Sequence, residues 1–299
     1  MSRCGARSHV VAFGATKYTL RFAPDASGTV NGPVSRALHA GGGGAGATDA
    51  EATAVARGRG AGGAAAEAHA DIAKRSPTRA RLRLHTLIVV QRAQTVTRLR
   101  VLHRELAKCR KCPKMIGPVV HGPPVPSRVL LIGQAPGPHE GKLGRPFAWT
   151  AGKTLFRWLE ETTGASESAV RECVYFAAVA RCFPGKAKAG GDRRPDPEEI
   201  ERCSSYLSRE VALLEPDLVL AVGTLAIEQV LGEKLKLDEV VGGVRRARYH
   251  GRDVDVIALP HPSGASTWYK LEPGKSLLAR ALRAVRAHPA MRAALAPPR

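Results

Sequence analysis

Four groups of residues in this 299-residue chain carry chemistry by their type and spacing. The first is Gly133-Gln134-Ala135-Pro136-Gly137, which follows the apolar run Val129–Ile132. Glycine lets the backbone come close to a ligand because no Cβ intervenes. Gln134 adds an amide donor and acceptor and no charge. Pro146-Phe147 returns an aromatic face toward the same region. An ordinary strand-to-helix turn with a core Phe would read the same way. The second group is His261, set between Pro260 and Pro262. The prolines fix the backbone on both sides, so the ring is presented rather than left mobile. Ser263-Gly264-Ala265-Ser266 follows, small enough to approach a phosphate backbone closely. His121, His139, His250 and His288 lack a comparable setting. The third group is Cys109-Arg110-Lys111-Cys112 with Cys182 and Cys203. A lone C-x-x-C suits a redox pair, half a zinc site or half a cluster site. Four thiolates can hold a tetrahedral zinc or an iron–sulfur cluster, although four unrelated buried cysteines fit too. Cys173 precedes a strand and reads as a small core residue. The fourth group is basic: Arg245, Arg246, Arg248 and Arg252, then Arg280, Arg283 and Arg286 at helical spacing. Each reads as a solvated face, and together with His261 they suit a phosphate-tracking surface.

The elements that must position these groups alternate. Val129–Ile132, Val174–Ala180, Leu218–Val222 and Val254–Leu259 are short apolar runs bounded by Gly or Pro, as buried parallel strands are. Helices are expected over Thr150–Glu161, with Thr150 as N-cap, and over Asp196–Leu214, which opens on Pro197. Two more are expected at Thr224–Leu231 and Gly274–His288. This pattern predicts an α/β fold: a three-layer α/β/α sandwich around a central, mostly parallel four-stranded sheet. Ligands of such sheets bind at the carboxyl ends of the strands. Both Gln134 and His261 belong there.

Residues 1–80 read as a disordered leader rich in Gly, Ala and Arg, and 81–299 as the folded domain. Ala40–Gly63 buries too little apolar surface to offset the entropy of ordering. Met1–Phe22 is basic and has no acid within its first twenty residues, as in a transit peptide, but a plain leader fits it better. Arg79–Leu106 turns basic and apolar, its second half suiting a helix that leads into Cys109. Lys and Arg number 46 against 26 Asp and Glu, a formal charge of +20. Such a surplus calls for a polyanion partner, nucleic acid first. A basic composition bias of the source would contribute as well. No apolar run approaches the length that spans a bilayer, and a cytoplasmic monomer is expected. The cysteines do not resemble a secreted disulfide scaffold.

The sequence GQAPG, then GRPF, then the strand ending in Ala180-Arg181-Cys182, then LPHPS, resembles the uracil-DNA glycosylase superfamily in order and spacing. The resemblance covers roughly Leu102 to Arg286. It is closest to the iron–sulfur families four and five, and it implies a [4Fe–4S] cluster on Cys109, Cys112, Cys182 and Cys203, with zinc as the alternative. It implies that Gly133, Gln134, Ala135 and Gly137 border the base. Gln134 stands where family four has the acid that handles the attacking water. Phe147 would stack on the extruded base, and His261 would stabilise charge on the departing base. Ser263, Gly264, Ala265 and Ser266 would enter the duplex. Two departures stand out. Gln134 is no general base, and Ala178 replaces the Asn that reads uracil in family four, as family five does. Relatives that trap DNA covalently carry a His in the loop after the second strand. Lys186–Pro197 has none, so turnover is expected. The resemblance implies a DNA glycosylase that removes uracil, and other deaminated bases, and so starts base excision repair. A damage-binding protein without catalysis is the alternative; a small-molecule enzyme using the glycine loop for phosphate is a weaker third.

Overall fold

Five strands run through the centre of the molecule in a computed structural model that describes residues 77–188 and 190–296. The order is β2-β1-β3-β5-β4, with β1 Val129–Gly133, β2 Tyr175–Ala178, β3 Leu218–Val222, β4 Val244–Tyr249 and β5 Arg252–Leu259. The first four in that order are parallel; β4 alone runs antiparallel, against β5. β1, β2 and β3 are buried at every position, as strands covered on both faces must be. The mostly parallel sheet is as expected. The expected four-stranded count is corrected to five, because the basic stretch around Arg245–Arg248 forms an edge strand, β4. Its sequence, VRRARY, leaves most of its residues exposed. Charges on an edge strand block pairing with another chain, so a run without apolar period still makes a good edge. Arg246 and Arg248 pair with Asp255 and Asp253 across the hairpin. His250 and Gly251, both at positive φ, close it in two residues.

Helices flank the sheet: α1 Pro77–Ala107, α2 Thr150–Thr163, α3 Glu167–Cys173, α4 Pro197–Leu214, α5 Thr224–Leu231, α6 Gly274–Ala287 and α7 Pro289–Leu295. Single turns lie at Glu140–Leu143 and Leu237–Val240. Trp149, not Thr150, occupies the N-cap of α2, and no side chain caps it. The expected helix before Cys109 is longer than its second half, since α1 already opens at Pro77. The rest of the leader expectation lies outside the described residues. Among the described residues no helix is long and apolar enough to cross a membrane.

Leu99, Leu102, His103 and Leu106 put the last turns of α1 into the core. His103 is 5% exposed and bonds Tyr175 Oη at 2.8 Å. Tyr175 in turn donates to Glu210 Oε1 at 2.7 Å, so the bond from His103 must come from an Nε2–H. Glu210 also holds Arg181, and both are fully buried. Burial, then the charges of His121 and Arg181, push the His103 pKa down to about 3. The unfolded chain binds this proton near pH 6.5, and the folded chain does not. Stability should therefore fall as pH drops below 6.5, by about 2 kcal/mol at pH 5. Urea unfolding at the two pH values, repeated with His103→Asn, checks this. The variant should lose that part of the pH slope.

Candidate functional site

The strand register sets the site. Gly133 is paired with Ala178, Ile132 with Ala221, and Val222 with Leu259. The loops that leave β1, β2, β3 and β5 therefore open on one edge. Gln134 follows β1 directly, and His261 stands two residues beyond β5. Their strands are two places apart, about 10 Å. Gln134 is tied to the neighbouring loop through its carbonyl, which accepts from Ala180 N–H at 3.0 Å, and Gly133 does the same for Val179.

Phe147 lies over the start of this loop. Its Cζ is 2.8 Å from where a Cβ on Gly133 would sit, so a side chain there would push the ring aside. Phe147 itself has a φ of +52°, strained for an aromatic residue. Its surroundings hold it in place. Arg171 donates to the carbonyls of Pro146 and Phe147 at 3.0 and 2.8 Å. Glu140 accepts from Gly137 N–H at 2.6 Å and Ala148 N–H at 3.0 Å, joining the glycine loop to the Phe147 segment. Strain retained by this many partners is typical of a working site. Ala178 is buried beside Gly133 and presents no polar group.

His261 packs against Gly223, where a Cβ would come within 3.3 Å of its ring. Its Nδ1 accepts from Ser263 N–H at 3.3 Å, so a neutral ring carries its proton on Nε2. The ring keeps solvent access. Crowding by the loops lowers its pKa below the ordinary value, and the Asp192 carboxylate partly offsets this. The arrangement is a neutral N–H donor at the sheet edge. Gly264 and Ala265 are exposed beyond it, in a turn closed by Ser266 N–H on the Ser263 carbonyl at 3.1 Å. Arg280, Arg283 and Arg286 are exposed on α6.

The chain that leaves β2 also carries Cys182. The C-x-x-C segment is pinned to the chain after β2 by mutual Ile116–Phe183 backbone bonds and by Val120 N–H on the Arg181 carbonyl. Cys203 comes from the second turn of α4. Cys182 is pushed up to about 11 by burial and by Cys203, Cys109 and Cys112. Cys112 and Cys203 are raised as well, first by burial. Cys182 feels the other three thiols, and Cys203 feels Cys112 and Cys109. The sequence reading missed the supports Glu140 and Arg171. It also missed Asp192, an acid inside a basic, glycine-rich loop with no motif around it. Asp192 Oδ2 lies 3.6 Å from the Cβ position of Gly137.

Residues 119–286 match the family model described as uracil DNA glycosylase superfamily. The chain belongs to that superfamily. It is 32% identical over 167 residues to a type-4 uracil-DNA glycosylase of Archaeoglobus fulgidus, covering 54% of this chain and 79% of that protein. A type-4 enzyme of Pyrobaculum aerophilum is 31% identical over 173 residues, 55% of this chain and 83% of that one. A type-5 uracil-DNA glycosylase of the same organism is 29% identical over 192 residues, 53% and 79%. The superfamily match contains every residue of the sheet-edge site, and Cys182 and Cys203 too. Cys109 and Cys112 precede it.

Proposed function

We propose that the chain is a DNA glycosylase that hydrolyses the N-glycosidic bond of uracil in DNA, and so opens base excision repair. The observation that carries this reading is the pairing at one sheet edge of a fixed aromatic face, Phe147, with a neutral imidazole whose proton is on Nε2. A base inside a duplex is out of reach and must be swung out, at a cost of a few kcal/mol. Stacking on Phe147 returns about 1–3 kcal/mol of this. Bond cleavage then leaves an anionic base and a cationic sugar. His261 Nε2–H offers a donor to the anion, where the gain is largest in the transition state. The Gln134 carboxamide orients the attacking water without taking its proton. Ser263–Ser266 and the arginines of α6 meet the phosphates. Because Ala178 cannot read a base edge by hydrogen bonds, other deaminated bases should be accepted alongside uracil.

Cys109, Cys112, Cys182 and Cys203 are the residues that would hold a [4Fe–4S] cluster. Two observations support the fit. Burial, and then neighbouring thiols, raise the pKa values of Cys112, Cys182 and Cys203, and a metal centre reverses that by binding thiolates. Arg181, which precedes Cys182, is 1% exposed, and its Nη1 is the buried side-chain atom left without a partner among the described residues. Cluster sulfurs would supply an acceptor in this neighbourhood. Among the described residues no three metal-binding side chains are grouped to hold a single ion. Zinc on the same four cysteines is the alternative. When bound, the cluster ties the segment before β1 to the loop after β2.

The neutral Gln134 gives a damage-binding protein as the second reading. Oligonucleotides each carrying one altered base, tested for scission after alkali, separate the two. Scission at uracil by a brown, iron-containing protein is the expected result. A gel shift without abasic sites would favour the sensor, and a colourless protein with one zinc would overturn the cluster.

A further inference from the structure

A glycosylase that forms a cationic sugar gains from a negative charge facing that sugar and the incoming water. Gln134 supplies none. Two carboxylates approach the glycine loop, Asp192 and Glu140, with Oδ2 and Oε2 at 3.6 and 3.8 Å from the Cβ position of Gly137. Glu140 is committed, since its two oxygens accept the N–H groups of Gly137 and Ala148. Asp192 is not. Its Oδ1 takes Lys186 Nζ at 2.6 Å, while its Oδ2 faces the loop with no hydrogen bond of its own among the described residues. The same carboxylate lies within electrostatic range of the His261 ring. It thus stands near the glycine loop on one side and the imidazole on the other.

The loop that carries Asp192 is built to place it. Lys186 and Asp192 form an antiparallel bridge, and Arg193 N–H bonds the Gly185 carbonyl at 2.8 Å. Arg193 then grips the Pro184 carbonyl and both oxygens of Glu199 at the start of α4. The residue beside Asp192 is therefore anchored at three points. The side chain of Asp192 is 38% exposed, so water reaches it. Its Lys186 partner is 61% exposed, and a surface pair of this kind is weak and free to re-form with a phosphate.

We infer that Asp192 is the catalytic carboxylate of this site, facing the sugar cation and holding the attacking water in place of an acid at 134. The inference rests on the glycosylase reading. No bond to the protein forms: water adds to the sugar carbon, its proton passes to solvent or to Asp192, and the base leaves with the electron pair of the broken bond.

The test is single-turnover excision from an oligonucleotide with one deoxyuridine, with binding followed by fluorescence anisotropy. Asp192→Asn should slow excision at least ~100-fold and bind the oligonucleotide as tightly as the parent, or tighter. Adding Gln134→Glu to Asp192→Asn should recover about tenfold or more, because a carboxylate is returned to the other side of the same loop. A purely structural role for Asp192 would show no such recovery. Asp192→Asn excising at the parent rate overturns the inference and leaves the glycosylase reading intact. A parent protein that binds the oligonucleotide and never excises overturns that reading, and this one with it.

Discussion

His261→Ala is expected to slow uracil excision by about 10²- to 10³-fold, the usual loss when one donor to a developing anion is removed. DNA affinity should stay within a few-fold, since phosphate contacts from other residues carry most of the binding. The reason for the size lies in timing. The imidazole has little to do while the glycosidic bond is whole, and most to do when the base carries a full negative charge. Single-turnover rates and anisotropy titrations on the same oligonucleotide separate the two quantities. His261→Gln keeps an N–H donor of similar reach and should recover part of the loss. The pH profile gives a further check. Burial among the loops holds the ring pKa below its ordinary value, so the neutral form persists to lower pH than in an ordinary histidine. The rate should show no rise as pH falls toward that ordinary value, as it would if an imidazolium were the active form. A variant whose excision is unchanged would remove the central residue from the mechanism.

The parts of this molecule that were legible in the sequence share one property: their signal is local. Val129–Ile132 and Leu218–Val222 are apolar runs cut off by glycine, and both are strands. Thr224–Leu231 is a helix with the same ends as expected. Gln134 and His261 were placed on one edge by the strand-end argument alone, and the register agrees. What was not legible depends on partners distant in the chain. Tyr175 and Glu210 meet across 35 residues, and His103 and Tyr175 across 72. A Glu on the face of a helix reads as surface unless its partner is known. β4 failed for a related reason, because an edge strand has one neighbour and tolerates charge on the side away from it. α7 was not expected, the last expected helix being Gly274–His288, after which Pro289 follows directly. That proline is the first residue of a new helix, whose N-cap is His288 and whose Met291 is buried. Asp192 is legible only after folding brings its loop against Gly137.

The largest stability effect is expected at Glu210. Its two oxygens accept from Tyr175 and Arg181, at 0% exposure. Glu210→Ala removes one partner and leaves a buried guanidinium uncompensated. Breaking a buried pair in this way costs about 3–5 kcal/mol, against a total of about 5–15 kcal/mol for a domain. The damage should not stop at Arg181. Tyr175 loses its acceptor, and His103 loses the fixed hydroxyl oxygen that its Nε2–H requires. Because Arg181 adjoins Cys182, the thiol segment should loosen as well. Urea unfolding of Glu210→Ala should show the loss directly, and Glu210→Gln, which keeps an acceptor oxygen, should lose less. The decisive comparison is a double variant, Arg181→Met with Glu210→Leu. If the single-variant cost comes from an orphaned charge, removing both charges together must hurt less than removing one, as apolar replacements of buried pairs do elsewhere. A double variant that is weaker than Glu210→Ala would instead mean that the pair's own attraction, or its contact with the thiols, holds this end of the sheet together.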